Sequence, residues 1–298
     1  MSQILLFKLE NLIEGTVVKR PSIYIKSPYV ADVLITSKEE VLAHTASLGC
    51  CGLADVEATV LMTISNKNTK KKAKQTNKAN KNCSHTVYLS VILENKKEKC
   101  QEQIIGIHPK LAENLVESAL NKNCLTKLKN IKGYRRETTI HVENKINSRF
   151  DFTGIDENGI PFIMEVKNVP LADYEDLPKA NPSVEKRDYS KYEFNSKVAY
   201  FPDGYRKQSS DPVSPRALKH IKELTLIKLE SNIRCIMCYV IQRTDVNRFQ
   251  PSIIDPQYRE AVKEALESGV EIITLVVSWN REGEAYFIRD DLPITPFN

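Results

Sequence analysis

The chain has 298 residues, 41% hydrophobic and 27% charged, with 43 Lys and Arg against 38 Asp and Glu for a net charge of +5. That balance excludes a disordered polyelectrolyte and leaves length for two domains, each with its own core. No apolar run approaches the roughly 20 residues that cross a bilayer, and Lys8, Glu10 and Glu14 interrupt the opening segment, so neither a membrane partner nor a secretory leader is expected. The seven cysteines are odd in number and include the adjacent Cys50 and Cys51, which fits a reducing, intracellular and cytoplasmic setting rather than a disulfide framework.

Short strand candidates separated by turn-prone residues come first, at 15–18, 22–25, 29–35, 40–44 and 56–64. A lysine-rich loop is expected at about 66–82, because Asn66 to Lys81 holds seven lysines and no acid. Lys70, Lys71 and Lys72 in that run are suited to neutralising phosphates, an affinity that falls with salt. Residues 85–94 then alternate apolar and polar side chains as a half-buried strand does. Many short strands with almost no helix predict a small barrel or sandwich over residues 1–102.

The pattern changes over residues 103–298. From Pro109 to Asn123, Leu111, Leu115, Ala119 and Leu120 share a helical face, with Pro109 where a first turn accepts it. Strands are expected at 138–142, 149–155 and 161–169, followed by a polar stretch, 173–197, that reads as a surface excursion. A second helix spans 214–231, with Ser214 as N-cap and Pro215 at its first position. A strand at 234–242, a helix at 257–268 and a strand at 271–278 complete an α/β sandwich around a mixed sheet. Cys235 and Cys238 read C-x-x-C, but residues three apart on a strand face opposite ways, so buried thiols rather than a metal pair are expected.

Asn158-Gly159 between apolar segments predicts a hairpin over residues 149–167. A two-residue loop would turn Asp151 away from Glu165. A three-residue loop, 157–159, with Gly159 in the left-handed region, sets Asp151 opposite Glu165 and leaves Lys167 on the same face; this register is the expected one. Two carboxylates meeting on an apolar strand pair repel unless a cation lies between them, and hard oxygen ligands suit Mg²⁺ or Mn²⁺. Lys167 adds an ammonium that can position water and stabilise charge on a phosphate.

Asp, a loop, then Glu-x-Lys resembles the PD-(D/E)XK, or restriction-endonuclease-like, pattern. Its surroundings, SRFDF, FIMEVKNVPL, FPD, RALKHIKEL, VIQRTD and IDPQYREAVKEALESGVEII, occur in an order that resembles the sugar fermentation stimulation protein A family. KRPSIYIKSPYVADV, GIHPKLAENLVESAL and GYRRE extend the resemblance over most of the chain. It implies an OB-like N-terminal β-barrel followed by a nuclease-like domain, with DNA as partner. On an OB-like barrel, Lys19, Arg20 and Lys26 with Tyr24 and Tyr29 become candidates for holding a single strand. The resemblance also assigns Glu117, on the helix before the hairpin, as a further metal-associated acid. Arg216, Lys219 and His220 become candidates for the phosphate backbone, as do Gln242 and Arg243 at a strand end. One departure lies at 45–50, which reads TASLGC where the family carries Pro-Asn-Thr-Gly and a basic residue.

The expectation is therefore a DNA-binding protein with a Mg²⁺-dependent phosphodiester-hydrolysing site at Asp151, Glu165 and Lys167. The alternative is a non-catalytic DNA-binding regulator retaining the fold. Sugar metabolism has no support in the residues, which show no paired glycosidase carboxylates, Gly-rich phosphate loop or dinucleotide fingerprint.

Overall fold

The computed structural model describes residues 3–45, 52–65, 83–96, 99–143, 145–177, 189–204 and 211–297. The lysine-rich loop, with Lys70, Lys71 and Lys72, lies outside them. The fold is mixed α/β and dominated by sheets.

The first strand, β1 (Ile4–Lys8), is followed by β2 (Ile13–Lys19), β3 (Val30–Ile35), β4 (Glu40–Thr45), β5 (Thr59–Ile64), β6 (His85–Lys96) and β7 (Lys99–Gly106). β2 pairs with both β3 and β5, β3 with β4, and β5 with β6, all antiparallel. β4 then runs parallel to β6 from Ala43↔His85, so these five strands form a closed ring of pairings, and β7 extends β6 as a hairpin. Val17, Ala31, Val33, Ala43, Val60 and Met62 alternate inward to fill the ring. Residues 22–25, expected as a strand, form a turn instead. Ser22 Oγ accepts the Tyr24 and Ile25 N–H groups, and Asp32 accepts that of Ile23 at 2.8 Å. Local side-chain acceptors have outcompeted the ladder.

After the ring come α1 (Pro109–Asn121), β8 (Gly133–Val142), β9 (Ile146–Ile155), β10 (Pro161–Val169), β11 (Ala172–Asp173) and β12 (Lys197–Phe201). Next are α2 (Pro215–Glu230), β13 (Arg234–Ile241), β14 (Val246–Pro251), α3 (Pro256–Glu267), β15 (Glu271–Trp279) and β16 (Glu284–Arg289). Ser214 caps α2 by accepting from the Ala217 N–H at 3.4 Å, and Asp255 caps α3 by accepting from Tyr258 at 3.1 Å. The larger sheet has the order β1-β16-β15-β13-β10-β9-β8, parallel at its centre and antiparallel at its edges. The first strand thus joins the last, a pairing no local pattern announces. A small sheet, β11-β12-β14, flanks it.

The central strands are apolar on both faces, as burial on both sides requires. On β13, Ile236, Cys238 and Val240 pack toward α1 and the ring, whereas Cys235, Met237 and Tyr239 pack toward α2 and α3. The two thiols sit on opposite faces, free and buried. Among the described residues no helix is long and apolar enough to cross a membrane.

The polar stretch at 173–197 is not a simple surface excursion at its described ends. Asp176 is buried and accepts from Gln250, Ser252 and the Ile253 N–H at 2.7–2.9 Å. Lys197 is buried with its ammonium 2.9 Å from both Glu94 and Asp245. Polar segments can be buried when each charge finds a partner, and a hydrophobic period does not reveal this.

Gly106 sits where the two sheets approach. A Cβ there would overlap Gln242 Oε1 and lie 2.7 Å from Trp279 Nε1, and Gln242 is held from moving by hydrogen bonds to Trp279 and Asn168. Gly106→Ala is expected to destabilise the protein by roughly 1–3 kcal/mol in urea unfolding. Gly133→Ala, with no atom within 4 Å of the added carbon, is the control expected to be far milder.

Candidate active site

The site begins with a turn. Asp156 Oδ1 accepts the N–H groups of Asn158 and Ile160 at 2.9 and 2.8 Å, its carbonyl accepts from Gly159 at 3.1 Å, and Gly159 takes φ +85°. This is the three-residue loop, and the ladder runs from Ile155↔Pro161 to Phe152↔Met164. One step further, Asp151 stands across from Glu165, as expected from the loop length. There the Asp151 carboxylate accepts the Val166 N–H at 2.7 Å.

Glu165 is only 3% exposed. Its Oε1 contacts both the Lys167 ammonium and His220 Nδ1, while its Oε2 is buried without a hydrogen-bond partner. Burial opposes ionisation of Glu165, but Lys167 and His220 outweigh it and hold the carboxyl below its ordinary range. Asp151 has no comparable support. Burial, and then the charge of Glu165, push it up to about 7 despite the Val166 N–H and Lys167.

Asp151, Glu165 and Lys167 line a cleft of about 540 Å³. Its walls include Glu113 from α1, Asp203 after β12, Arg216 from the first turn of α2, and Tyr29 from the turn that leads into β3. Among the described residues no group of three or more His, Cys, Asp or Glu side chains could hold a metal ion. The donor set is two neighbouring carboxylates, one with an unpartnered buried oxygen. That fits a Mg²⁺-like cation, which keeps several waters and uses only one or two carboxylates.

Several expected contacts fall elsewhere. Glu117 accepts from Arg136 at 2.6 Å and from the Tyr134 hydroxyl at 3.2 Å and does not line the cleft; Glu113, one turn earlier, does, while also paired with Arg136 at 2.7 Å. Both acids satisfy the same helical pattern, and only their position along α1 relative to the hairpin separates them. Gln242 is buried between Trp279 and Asn168. Arg243 is buried in a two-pronged pair with Asp245, both contacts 2.6 Å, and so cannot reach a phosphate backbone. Their polar character serves the interior.

Arg20 donates to the Pro28 carbonyl at 2.9 Å and lies 3.5 Å from Asp55, bracing the β2–β3 connection, whereas Lys19, Lys26, Tyr24 and Tyr29 are exposed. Lys219 is exposed and donates to the Asn147 carbonyl at 2.6 Å; Arg216 is exposed at the cleft. His220 faces inward to Glu165 instead of outward to a backbone. A signal for this was present, because Ala217, His220, Ile221 and Leu224 follow the spacing of a buried helical face.

A family model described as the sugar fermentation stimulation protein RE domain matches residues 110–182 and 189–283. A sugar fermentation stimulation protein homolog of Alteromonas mediterranea is 30% identical over 269 residues, covering 88% of this chain and 89% of that one. The homolog of a Nostoc species is 26% identical over 283 residues, 94% and 95% of the two chains. The structure of Pyrococcus furiosus SfsA in complex with Ca²⁺ matches with a TM-score of 0.67 at 20% identity, over 98% of this chain and all of that one. On the extent of these matches, the chain belongs to the sugar fermentation stimulation protein family.

Proposed function

We infer that this protein binds DNA and hydrolyses phosphodiester bonds with a divalent cation in the Asp151–Glu165–Lys167 cleft. The observation that carries this reading is Glu165 Oε2, buried and without a partner, beside a second carboxylate whose ionisation is suppressed for lack of a counter-charge. Asp151 and Glu165 would hold Mg²⁺ or Mn²⁺. When bound, the ion supplies Lewis-acid polarisation of a phosphoryl oxygen. Ca²⁺, present in the Pyrococcus furiosus relative, is a hard, oxygen-seeking cation of the same kind.

The chain's own groups divide the remaining work. Lys167 and His220 fix Oε1 of Glu165, so the carboxylate is held before a ligand arrives. The Lys167 ammonium positions the attacking water and stabilises charge developing on the phosphate. Arg216, exposed at the cleft, holds a neighbouring phosphate. Glu113 and Asp203 are the further acids that line the cleft. An OB-like character of the ring is supported by its closed five-strand pairing with one parallel contact. A PD-(D/E)XK character of the larger sheet is supported by α1 preceding a hairpin that opposes Asp to Glu-x-Lys.

Labelled DNA incubated with Mg²⁺ or Mn²⁺ is expected to be cut by the wild type and left intact in EDTA. Asp151→Asn, Glu165→Gln and Lys167→Ala should each lower the rate by about 10² or more. DNA binding with no cleavage by the wild type under either cation would defeat the hydrolytic reading and favour a binding regulator. Arg216→Ala should reduce the slope of log affinity against log salt by about one, and an unchanged slope would remove Arg216 from the phosphate contacts.

A pH signature follows from Asp151. Its folded value, about 7, lies above the ordinary 3.8, so its contribution to stability is complete below about 4 and is lost as pH rises through about 7. Without divalent ions, the melting temperature of wild type minus that of Asp151→Asn should therefore fall between pH 5 and pH 8. Mg²⁺ should restore it at pH 8, where the carboxylate is the binding form. A difference that stays constant with pH would contradict this assignment.

A further inference from the structure

Tyr29 lies in the turn that leads into β3 of the closed ring, yet it lines the cleft together with Asp151, Glu165 and Lys167 of the larger sheet. An exposed aromatic needs no explanation by itself. What sets Tyr29 apart is its fixed presentation beside a phosphate-handling site. Its carbonyl accepts from the Thr45 N–H at 2.8 Å, and its own N–H donates to Ser27 Oγ at 3.3 Å. Its ring lies 6.4 Å from the His44 ring with 17° between the planes, so a neighbour on β4 orients it. The side chain remains 40% exposed.

The charge of the same cleft is equally specific. Arg216 lines it, is exposed, and has no carboxylate partner among the described residues. Lys167 adds a second cation beside the carboxylates. A cation for phosphate and an aromatic ring for a base are the two elements by which a single strand is held. Inside a duplex both faces of each base are covered by its neighbours, so away from the ends a protein ring takes a face without an unstacking cost only from an unpaired base.

We propose that Tyr29 is a stacking platform for an unpaired base of the strand whose backbone enters the cleft, which makes single-stranded DNA, or a frayed duplex end, the preferred substrate class. The proposal rests on the hydrolytic site described above for its substrate but not for its binding test. Because every base offers a π-face, the contact is tolerant of sequence.

Binding measured by fluorescence anisotropy in EDTA separates the two readings, since no strand is consumed. The probes are an oligothymidine of ~12 nucleotides, the same backbone with abasic sites, and a blunt duplex. Tyr29→Ala should weaken oligothymidine binding about tenfold and abasic binding by less than about twofold, while Tyr29→Trp stays near wild type. A melting curve for each variant excludes loss of fold as the cause. Equal losses on thymidine and abasic strands would overturn the proposal, as would a loss on duplex as large as on single strand or no single-strand binding at all. Metal-dependent cleavage by a protein whose Tyr29→Ala variant binds normally would remove the stacking role alone. Base-dependent binding without cleavage would retain it and remove the hydrolytic reading.

Discussion

The register of one hairpin governs the site. Strand faces alternate with a period of two residues, so a slip of one position would send Asp151 and Glu165 to opposite sides of the sheet. The three-residue loop prevents that slip. Asp156 is committed to it twice over, accepting loop N–H groups with one carboxylate oxygen and pairing with Arg234 at 2.9 Å with the other. Arg234 in turn reaches Glu271, and although burial opposes ionisation, the hydrogen bonds from the Ile160 N–H, Arg234 and the Asn158 N–H together hold the Asp156 carboxyl below its ordinary range. A charged cluster at the turn end of the strands therefore fixes the geometry of the carboxylates at their middle.

Buried acids in the interior differ in how fully they are satisfied, and Glu165 is, with Glu223, one that keeps an oxygen without a partner among the described residues. Asp245 is surrounded by Arg243 and Lys197, which overcome burial and hold its carboxyl below the usual range. Asp176 is saturated by three donors. Such groups hold the small sheet and Glu94 of the ring against the larger sheet. Asp151 is left short of positive charge, and Glu165 keeps one oxygen without a partner. Leaving a buried polar atom unpaired costs stability, and in folded proteins such costs concentrate where a ligand will repay them.

The cleft also depends on how the two sheets meet. Gly106 allows the end of the ring to approach Gln242 and Trp279, and Asn168, hydrogen-bonded to Gln242, lines the cleft next to Lys167. The ring brings Tyr29 to the same opening. Residues from distant parts of the chain thus share one wall system, and none of them would be adjacent if either sheet folded differently.

Local chemistry was legible in the sequence because it acts over a few residues. Asn158-Gly159 specified the turn and with it the facing of Asp151, Glu165 and Lys167; Ser214-Pro215 specified the start of α2; the spacing of Cys235 and Cys238 specified opposite faces. Patterns of this kind also separated a strand-rich first third from the αβ alternation that follows. What they could not specify were relations set by packing between distant segments. The union of β1 with β16 and the burial of Gln242, Arg243 and Lys197 all depend on partners remote in the chain. Tertiary structure alone chose Glu113 over Glu117 for the cleft, because both lie on the same face of α1 and differ only by one helical turn along it. It also turned His220 inward, since an imidazole among apolar residues can serve either solvent or core until a buried carboxylate is placed beside it.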